Sequence, residues 1–591
     1  MSLRIAAADL GKSSAKLITG SCEGGAVVVD SSAVIEHEGS PLEVFAGWYR
    51  DHEIGGCAAL GVTGLFADEI TAPALSGLPE DACLEAALAL APELSGPLNL
   101  LSVGARGYAV LVRDAQGRVQ YVENDKCSSG TGETMVKTAA RFGMSLEQAD
   151  RLAAGVTESI AITARCSVFA KSEMTHFGNQ GEPADKLFRG YFDSIARYVA
   201  ALLGRVRVDG PIFLIGGGGR VTTLRQCLAA HLEADVGVLE RGLLLEGLGA
   251  LAMAGEHARS GQARALPRDA SSLIRPKARR VRALEPAKNH AHRVTRLSAP
   301  PVDADAASGP TVLGLDLGST GSKAVLTSIE TGEIVLDLYD RTRGNPVEAA
   351  QRLVRTLCET TRPDVRAVGV TGSGREAVAT VLRAAFANAS ERVVVQNEIV
   401  AHATAAIRAD DRGGKSLSIV EIGGQDAKFV QIADGQIVES DMNKACSAGT
   451  GSFLEEQAVF YGVHDIAEFT RLASSSLAPP ELGQMCTVFV AETAAEAHAE
   501  GYSVADLFAG FQYSVIHNYL NRVMGQRAFG ERVFFQGKPA SGESLAWTLA
   551  AVSGREVVVP PNPGAMGAWG VGLSAIAELG ESLSAAERLD L

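Results

Sequence analysis

Four cysteines fall into two pairs that share their surroundings. Cys127 opens C-S-S-G-T-G and Cys446 opens C-S-A-G-T-G, while Cys166 lies in R-C-S-V-F and Cys486 in M-C-T-V-F. The members of a pair are 39 residues apart in one case (127 to 166) and 40 in the other (446 to 486), too far for a C-x2-C zinc ribbon. Each cysteine stands before a helix-forming stretch, where free N–H groups and the helix dipole favour a thiolate. Two thiolates do not complete a metal site. Two from each pair do, and a four-cysteine set suits zinc or an iron–sulfur cluster. The other five cysteines read as small buried apolar residues.

Two glycine-rich turns carry a second chemistry. In D-L-G-S-T-G-S-K a strand ends at Asp316, and Gly318 allows close backbone approach. Successive N–H groups then cradle phosphate oxygens, with Ser319, Thr320 and Lys323 adding polar contacts. Asp316 suits Mg2+ held through water. In E-I-G-G-Q-D-A-K, Gly423 and Gly424 repeat the turn between Glu421 and Asp426. Two such hairpins facing one cleft would clamp a triphosphate. Glu421, Gln425 and Asp426 are the candidates for metal-bound water or for orienting the attacking one. His402 reads as a packing or capping residue.

The chain repeats itself. Asp9, Gly11 and Lys16 match Asp316, Gly318 and Lys323 at an offset of 307 (316 − 9), and Ser13 sits in the same turn. The cysteines match at offsets of 319 (446 − 127) and 320 (486 − 166). The chain is therefore two homologous halves. Strand-like apolar runs such as LRIAAADL, PIFLIGG and TVLGLDLG alternate with helical stretches, including 133–143 and 452–462, which is an α/β pattern. The halves span 1–254 and 311–591. Between them, 255–310 hold eleven Lys or Arg, five Asp or Glu and six Pro with little periodicity, which reads as a flexible linker.

Composition narrows the class. The 591 residues are 46% hydrophobic, enough to fill several cores, and the length suits about four folding units. A net charge of −15 opposes broad binding to nucleic acid or anionic membrane. No apolar run reaches membrane-spanning length, and the N-terminal stretch lacks a secretory layout, so a cytoplasmic protein is expected.

The ordered pair of hairpin loops resembles the actin/Hsp70/sugar-kinase ATPase superfamily, with its ribonuclease H-like modules of two subdomains. NDKCSSGTG, NKACSAGTGSF, GVTGSGR, NEIVAHA, EIGGQDAK and CTVF together resemble the BadF/BadG/BcrA/BcrD-type ATPases. These are the activators of 2-hydroxyacyl-CoA dehydratases and the ATPase subunits of benzoyl-CoA reductase. The resemblance implies ATP and Mg2+ as ligands and a [4Fe-4S] cluster on Cys127, Cys166, Cys446 and Cys486. It implies a chain that forms its own pseudo-dimer and passes electrons, taken from a ferredoxin or flavodoxin, to an iron–sulfur acyl-CoA dehydratase or reductase. A small-molecule kinase on the same scaffold and a zinc-containing ATPase without redox work are the alternatives.

The halves are unequal. Ser102 stands where the second half has Glu421, Ala105 where it has Gly424, Arg106 where it has Gln425 and Gly107 where it has Asp426. The first half keeps I-G-G-G-G-R, with Gly216 and Gly217 resembling the family's adenosine loop, where the second half has F-Q-G-K. Hydrolysis is expected in the second half, with weak nucleotide binding or none in the first.

Overall fold

The computed structural model describes residues 2–24, 26–91, 94–105, 107–124, 132–163, 166–275, 280–298, 309–443 and 449–591. One sheet plan occurs four times. The first sheet holds β1 Leu3–Leu10, β2 Ser14–Glu23, β3 Ala26–Glu36, β4 Ala59–Thr63 and β5 Leu75–Leu78, in the order β3-β2-β1-β4-β5. β1 pairs antiparallel with β2 and parallel with β4. The second holds β6 Leu98–Val103, β7 Tyr108–Arg113, β8 Val119–Glu123, β9 Ile212–Ile215 and β10 Val236–Val238, in the order β10-β9-β6-β7-β8.

In the second half, β11 Val294–Arg296 precedes a sheet of β12 Pro310–Leu317, β13 Gly321–Ser328, β14 Ile334–Arg341, β15 Asp364–Thr371 and β16 Val393–Val395. Its order is β14-β13-β12-β15-β16. The last sheet adds β17 Ser416–Ile422, β18 Ala427–Ala433, β19 Gln436–Met442, β20 Arg532–Gln536 and β21 Val557–Val559, with β11 on its edge beyond β21. Each sheet thus has a hairpin-linked meander at one side and parallel strands at the other.

The first strands of all four sheets are buried along most of their length, so they read as continuous apolar runs rather than alternating ones. Paired helices pack between the two sheets of each half. The contact is set by glycine. A Cβ on Gly570 of the helix Met566–Leu579 would overlap the Ala401 carbonyl, and one on Gly249 of the helix Leu245–Arg259 would overlap that of Cys83.

The halves meet through the helices Gly132–Arg141 and Gly451–Phe460 and the residues that follow them. These lie within two residues of the expected 133–143 and 452–462. The contacts are reciprocal. The Phe142 ring lies on Gly344, and the Tyr461 ring lies on Gly39, each glycine being in a turn with positive φ. Lys171 of the first half pairs with Glu456 of the second at 2.8 Å.

The expectation of a flexible linker is corrected for its described parts. Leu266, Ala270 and Leu273 are buried in the first half's core, and Tyr49 Oη donates to the Pro267 carbonyl at 2.6 Å. Further on, Glu500 accepts from the backbone N–H groups of Arg280 and Val281, and β11 joins the last sheet. The described parts form a strap whose β11 covers the edge strand β21.

A Gly570→Ala variant should lose about 1–3 kcal/mol of unfolding free energy by overpacking, read from its denaturation midpoint.

Candidate functional site

The site of the second half begins at the ends of β12 and β17. Asp316 and Lys323 are cross-strand neighbours on β12 and β13, and Lys323 Nζ reaches Asp316 Oδ2 at 2.9 Å. Burial opposes ionisation of Asp316, but Lys323 and then His402 outweigh it and hold the carboxyl below its usual range. Glu421 and Lys428 occupy the same places on β17 and β18, 2.9 Å apart, and Lys428 also lies 3.5 Å from Glu398. Burial would lower the Lys428 pKa, yet the flanking carboxylates raise it above normal. Each loop therefore stands on a buried ion pair.

The two loops touch. A Cβ on Gly424 would come 2.5 Å from Thr320, and Thr320 Oγ1 lies 3.3 Å from Ser452 Oγ. The second loop is also held by the start of helix 451–460. Gly451 N–H donates to the Gly423 carbonyl and Ser452 N–H to that of Gly424, both at 2.9 Å. These bonds use the helix's first free N–H groups to fix the loop.

Between the loops lies a cavity of about 340 Å3, lined by Ser319, Gln425, Asp426, Thr450 and Ser452. Asp426 faces it with no hydrogen-bond or ion-pair partner on its carboxylate among the described residues. Burial, with Glu421 adding, pushes its pKa up against Lys428 and Arg141. Helix Ser167–Asn179 of the first half closes the other side, with Lys171, Thr175 and Asn179 on the cavity. Asn179 Nδ2 donates to Ser373 Oγ at 3.0 Å.

The first half arranges the same positions differently. Lys16 pairs with Asp9 at 2.8 Å, matching Lys323 and Asp316. Under its second loop, Ser102 faces Ala109 where Glu421 faces Lys428, so those two places hold no ion pair. Lys12 stands where the second half has Ser319 and is bound to Glu133 at 2.7 Å; Lys137 is bound to Glu133 at 2.6 Å. Burial disfavours the charge on Glu133, but Lys137 and Lys12 bring its pKa down to about 2. Phe460 and Tyr461 of the second half close over this network and leave a cavity of about 20 Å3.

The expected residues thus divide. Ser319, Gln425 and Asp426 line one cleft, with Asp316, Gly318, Thr320, Lys323, Gly423 and Gly424 in the two turns beside it. Glu421 lies beneath it, its carboxylate taken up by Lys428. Asp9, Gly11, Ser13 and Lys16 form the matching turn of the first half. Gly216 follows β9 with positive φ, next to Gly217, and Gly537 follows β20 in the same way. The thin match at F-Q-G-K therefore hides an equivalent turn. Cys166 and Cys486 are partly exposed and stand at the N-caps of the helices Ser167–Asn179 and Thr487–Ala499. Cys127, Cys446 and Arg106 lie outside the described residues. Among the described residues no group of three or more His, Cys, Asp or Glu side chains is placed to hold a metal.

Sequence reasoning missed Lys428, Glu398 and Gln536. Lys428 follows Asp426 by two, the strand period that puts both on one face, and that spacing was the available signal. Gln536 meets His402 Nδ1 at 2.8 Å from a distant strand and left no local signal.

Four sheets of one strand order, paired into two clefted halves, define a duplicated α/β fold of the actin and sugar-kinase type. The model of the BadF/BadG/BcrA/BcrD ATPase family matches residues 55–237 and 313–575. The chain belongs to that family. It is 29% identical over 282 residues to the 2-hydroxyisocaproyl-CoA dehydratase activator of Clostridioides difficile, across 46% of this chain and 96% of that protein. It is 25% identical over 269 residues to the (R)-2-hydroxyglutaryl-CoA dehydratase activating ATPase of Acidaminococcus fermentans, across 44% and 96%. A solved structure of the former activator with bound ADPNP aligns with 44% of this chain and 97% of its own, at 21% identity and a TM-score of 0.39. No described helix is long and apolar enough to cross a membrane.

Glu246 supplies a pH test of the first cleft. Burial first, and then Asp9, push its carboxyl up to about 7. The folded state then binds the proton more tightly than the unfolded chain, so stability falls as pH rises from about 4.5 to about 7. Glu246→Gln should therefore stabilise the protein more at pH 8 than at pH 5, by on the order of 2 kcal/mol in chemical denaturation.

Proposed function

We propose that the chain is an ATP-dependent reductive activator. In this reading the second half hydrolyses ATP, and hydrolysis drives one-electron transfer to a partner iron–sulfur acyl-CoA dehydratase or reductase. The names of the relatives support this, and so does one observation. Helix 167–179 starts at Cys166 and lines the second half's cleft with Lys171, Thr175 and Asn179. A single rigid element thus joins a thiol to a nucleotide cleft, and the two sit in different halves.

The residues divide the chemistry as follows. Backbone N–H groups of the turns at Gly318, Ser319, Gly423 and Gly424 bind phosphate oxygens. Lys323 and Lys428, each held in its ion pair, fix the two turns that carry those N–H groups. Asp316 would hold Mg2+ through water, as that cation's preference for carboxylate oxygen suits. Gln425 and Asp426 orient a water on the γ-phosphorus. The water oxygen bonds to phosphorus, the bridging P–O bond breaks, ADP leaves, and the proton passes to the Asp426 carboxylate before reaching solvent. Burial has already raised the proton affinity of that group. The first half, with Lys12 and Glu133 locked together and its cavity closed, binds nucleotide weakly or not at all.

Four thiols, two from each half, fit a [4Fe-4S] cluster. Cys127, Cys166, Cys446 and Cys486 would hold it, so the halves act as an intramolecular pseudo-dimer. When bound, the cluster supplies the low-potential electron. A ferredoxin or flavodoxin is the donor in this reading.

Protein purified without oxygen should carry about four iron and four sulfide per chain. Cys166→Ala and Cys486→Ala, one in each half, should each lose them. Stoichiometric zinc without sulfide would overturn the redox reading. Asp426→Asn should cut ATP turnover by about 100-fold with the fold intact by circular dichroism; unchanged turnover would overturn the site assignment.

A further inference from the structure

We infer that Arg141, a residue of the first half, is the γ-phosphate arginine of the second half's cleft. The inference rests on the reading that this cleft hydrolyses ATP.

Arg141 is the last residue of helix 132–141, whose Met135, Thr138 and Ala139 are buried in the first half. Its guanidinium leaves that half and crosses the seam. Nη2 donates to Ser452 Oγ at 2.8 Å. The Gln425 amide also lies against the guanidinium, and turning that amide brings its oxygen toward the guanidinium nitrogens. Ser452 in turn donates to the Gly424 carbonyl and touches Thr320. Arg141 therefore sits where both phosphate loops and the start of helix 451–460 converge, on the wall of the 340 Å3 cavity.

Its charge is left unmatched there. Lys171, on the same wall, is neutralised by Glu456 at 2.8 Å. Among the described residues no carboxylate comes within ion-pair distance of Arg141. Burial pulls its pKa down, and Glu456, Glu455 and Asp426 offset this only from further away. A half-buried guanidinium without a counter-ion is costly unless an anion arrives, and the open side of this one faces a space between phosphate-loop residues.

The internal repeat provides a control. The offset of 319 places Phe460 at the position of Arg141, and the offset of 320 places Ala491 at Lys171 and Ala495 at Thr175. All three line the closed cavity of the first half. At these three positions the second half's cleft thus meets polar side chains of the first half, while the first half's cavity meets apolar ones of the second. A residue serving the seam alone has no reason to follow that distinction.

In the hydrolysis step, charge spreads over the equatorial oxygens of the γ-phosphoryl group while the bond to the bridging oxygen breaks. A planar guanidinium meets two such oxygens at once. Gln425 positions both Arg141 and the water. Hydrolysis then requires the halves to be docked, whereas nucleotide binding does not.

The full chain tests this. Arg141→Ala should lower kcat by about 10^2- to 10^3-fold while KM moves less than about threefold. Arg141→Lys should restore little, because an ammonium is not bidentate, and added guanidinium ion should recover part of the alanine variant's rate. MgADP with aluminium fluoride should bind tightly to the native chain and weakly to Arg141→Ala, while MgADP alone binds both alike. An unchanged kcat, or equal aluminium fluoride binding, overturns the inference and leaves the assignment of the cleft standing. No hydrolysis by the native chain overturns both.

Discussion

A buried lysine bridging two carboxylates governs how the halves differ. Lys428 lies 2.9 Å from Glu421 and 3.5 Å from Glu398, under the loop that carries Gln425 and Asp426. Removing one member of such a group leaves an uncompensated buried charge, at a cost of about 3–5 kcal/mol. Replacing the facing pair together avoids that cost, and the first half has done so, with Ser102 and Ala109 in those places. With that pair gone, its second loop has lost its carboxylates too, and Lys12 and Glu133 are locked together under Phe460 and Tyr461 of the other half.

Duplication within one chain makes such divergence possible. In an assembly of identical subunits, a residue directed across the interface serves both clefts or neither. Here the seam separates the two roles. One direction carries Arg141, Lys171 and Thr175; the other carries Phe460, Ala491 and Ala495. The first half has become a fixed wall for the second half's cleft, and the strap at 280–298 fastens to the second half through Glu500 and β11.

Much of this was legible in the sequence. The four folding units follow from chain length and the α/β alternation, and the duplication follows from motif order. The loss of carboxylates from the first half's second loop was visible at Ser102 and Gly107. What escaped was long-range. The basic, proline-containing strap shows no periodicity because it docks through scattered apolar residues and one three-residue strand. Glu421 reads as a cleft carboxylate, but the side chain that takes it up is Lys428, fixed by register across the hairpin. Arg141 looks like an ordinary helix-ending cation, since its partners Ser452 and Gln425 lie about 300 residues away.

The central claim is that the chain has one working nucleotide cleft, in its second half. Calorimetric titration of the full chain with a non-hydrolysable ATP analogue and Mg2+ tests it most directly. The account predicts one tight site per chain, abolished by Asp316→Ala and retained in Asp9→Ala. Two equivalent sites, or one that disappears with Asp9 and survives loss of Asp316, would contradict it.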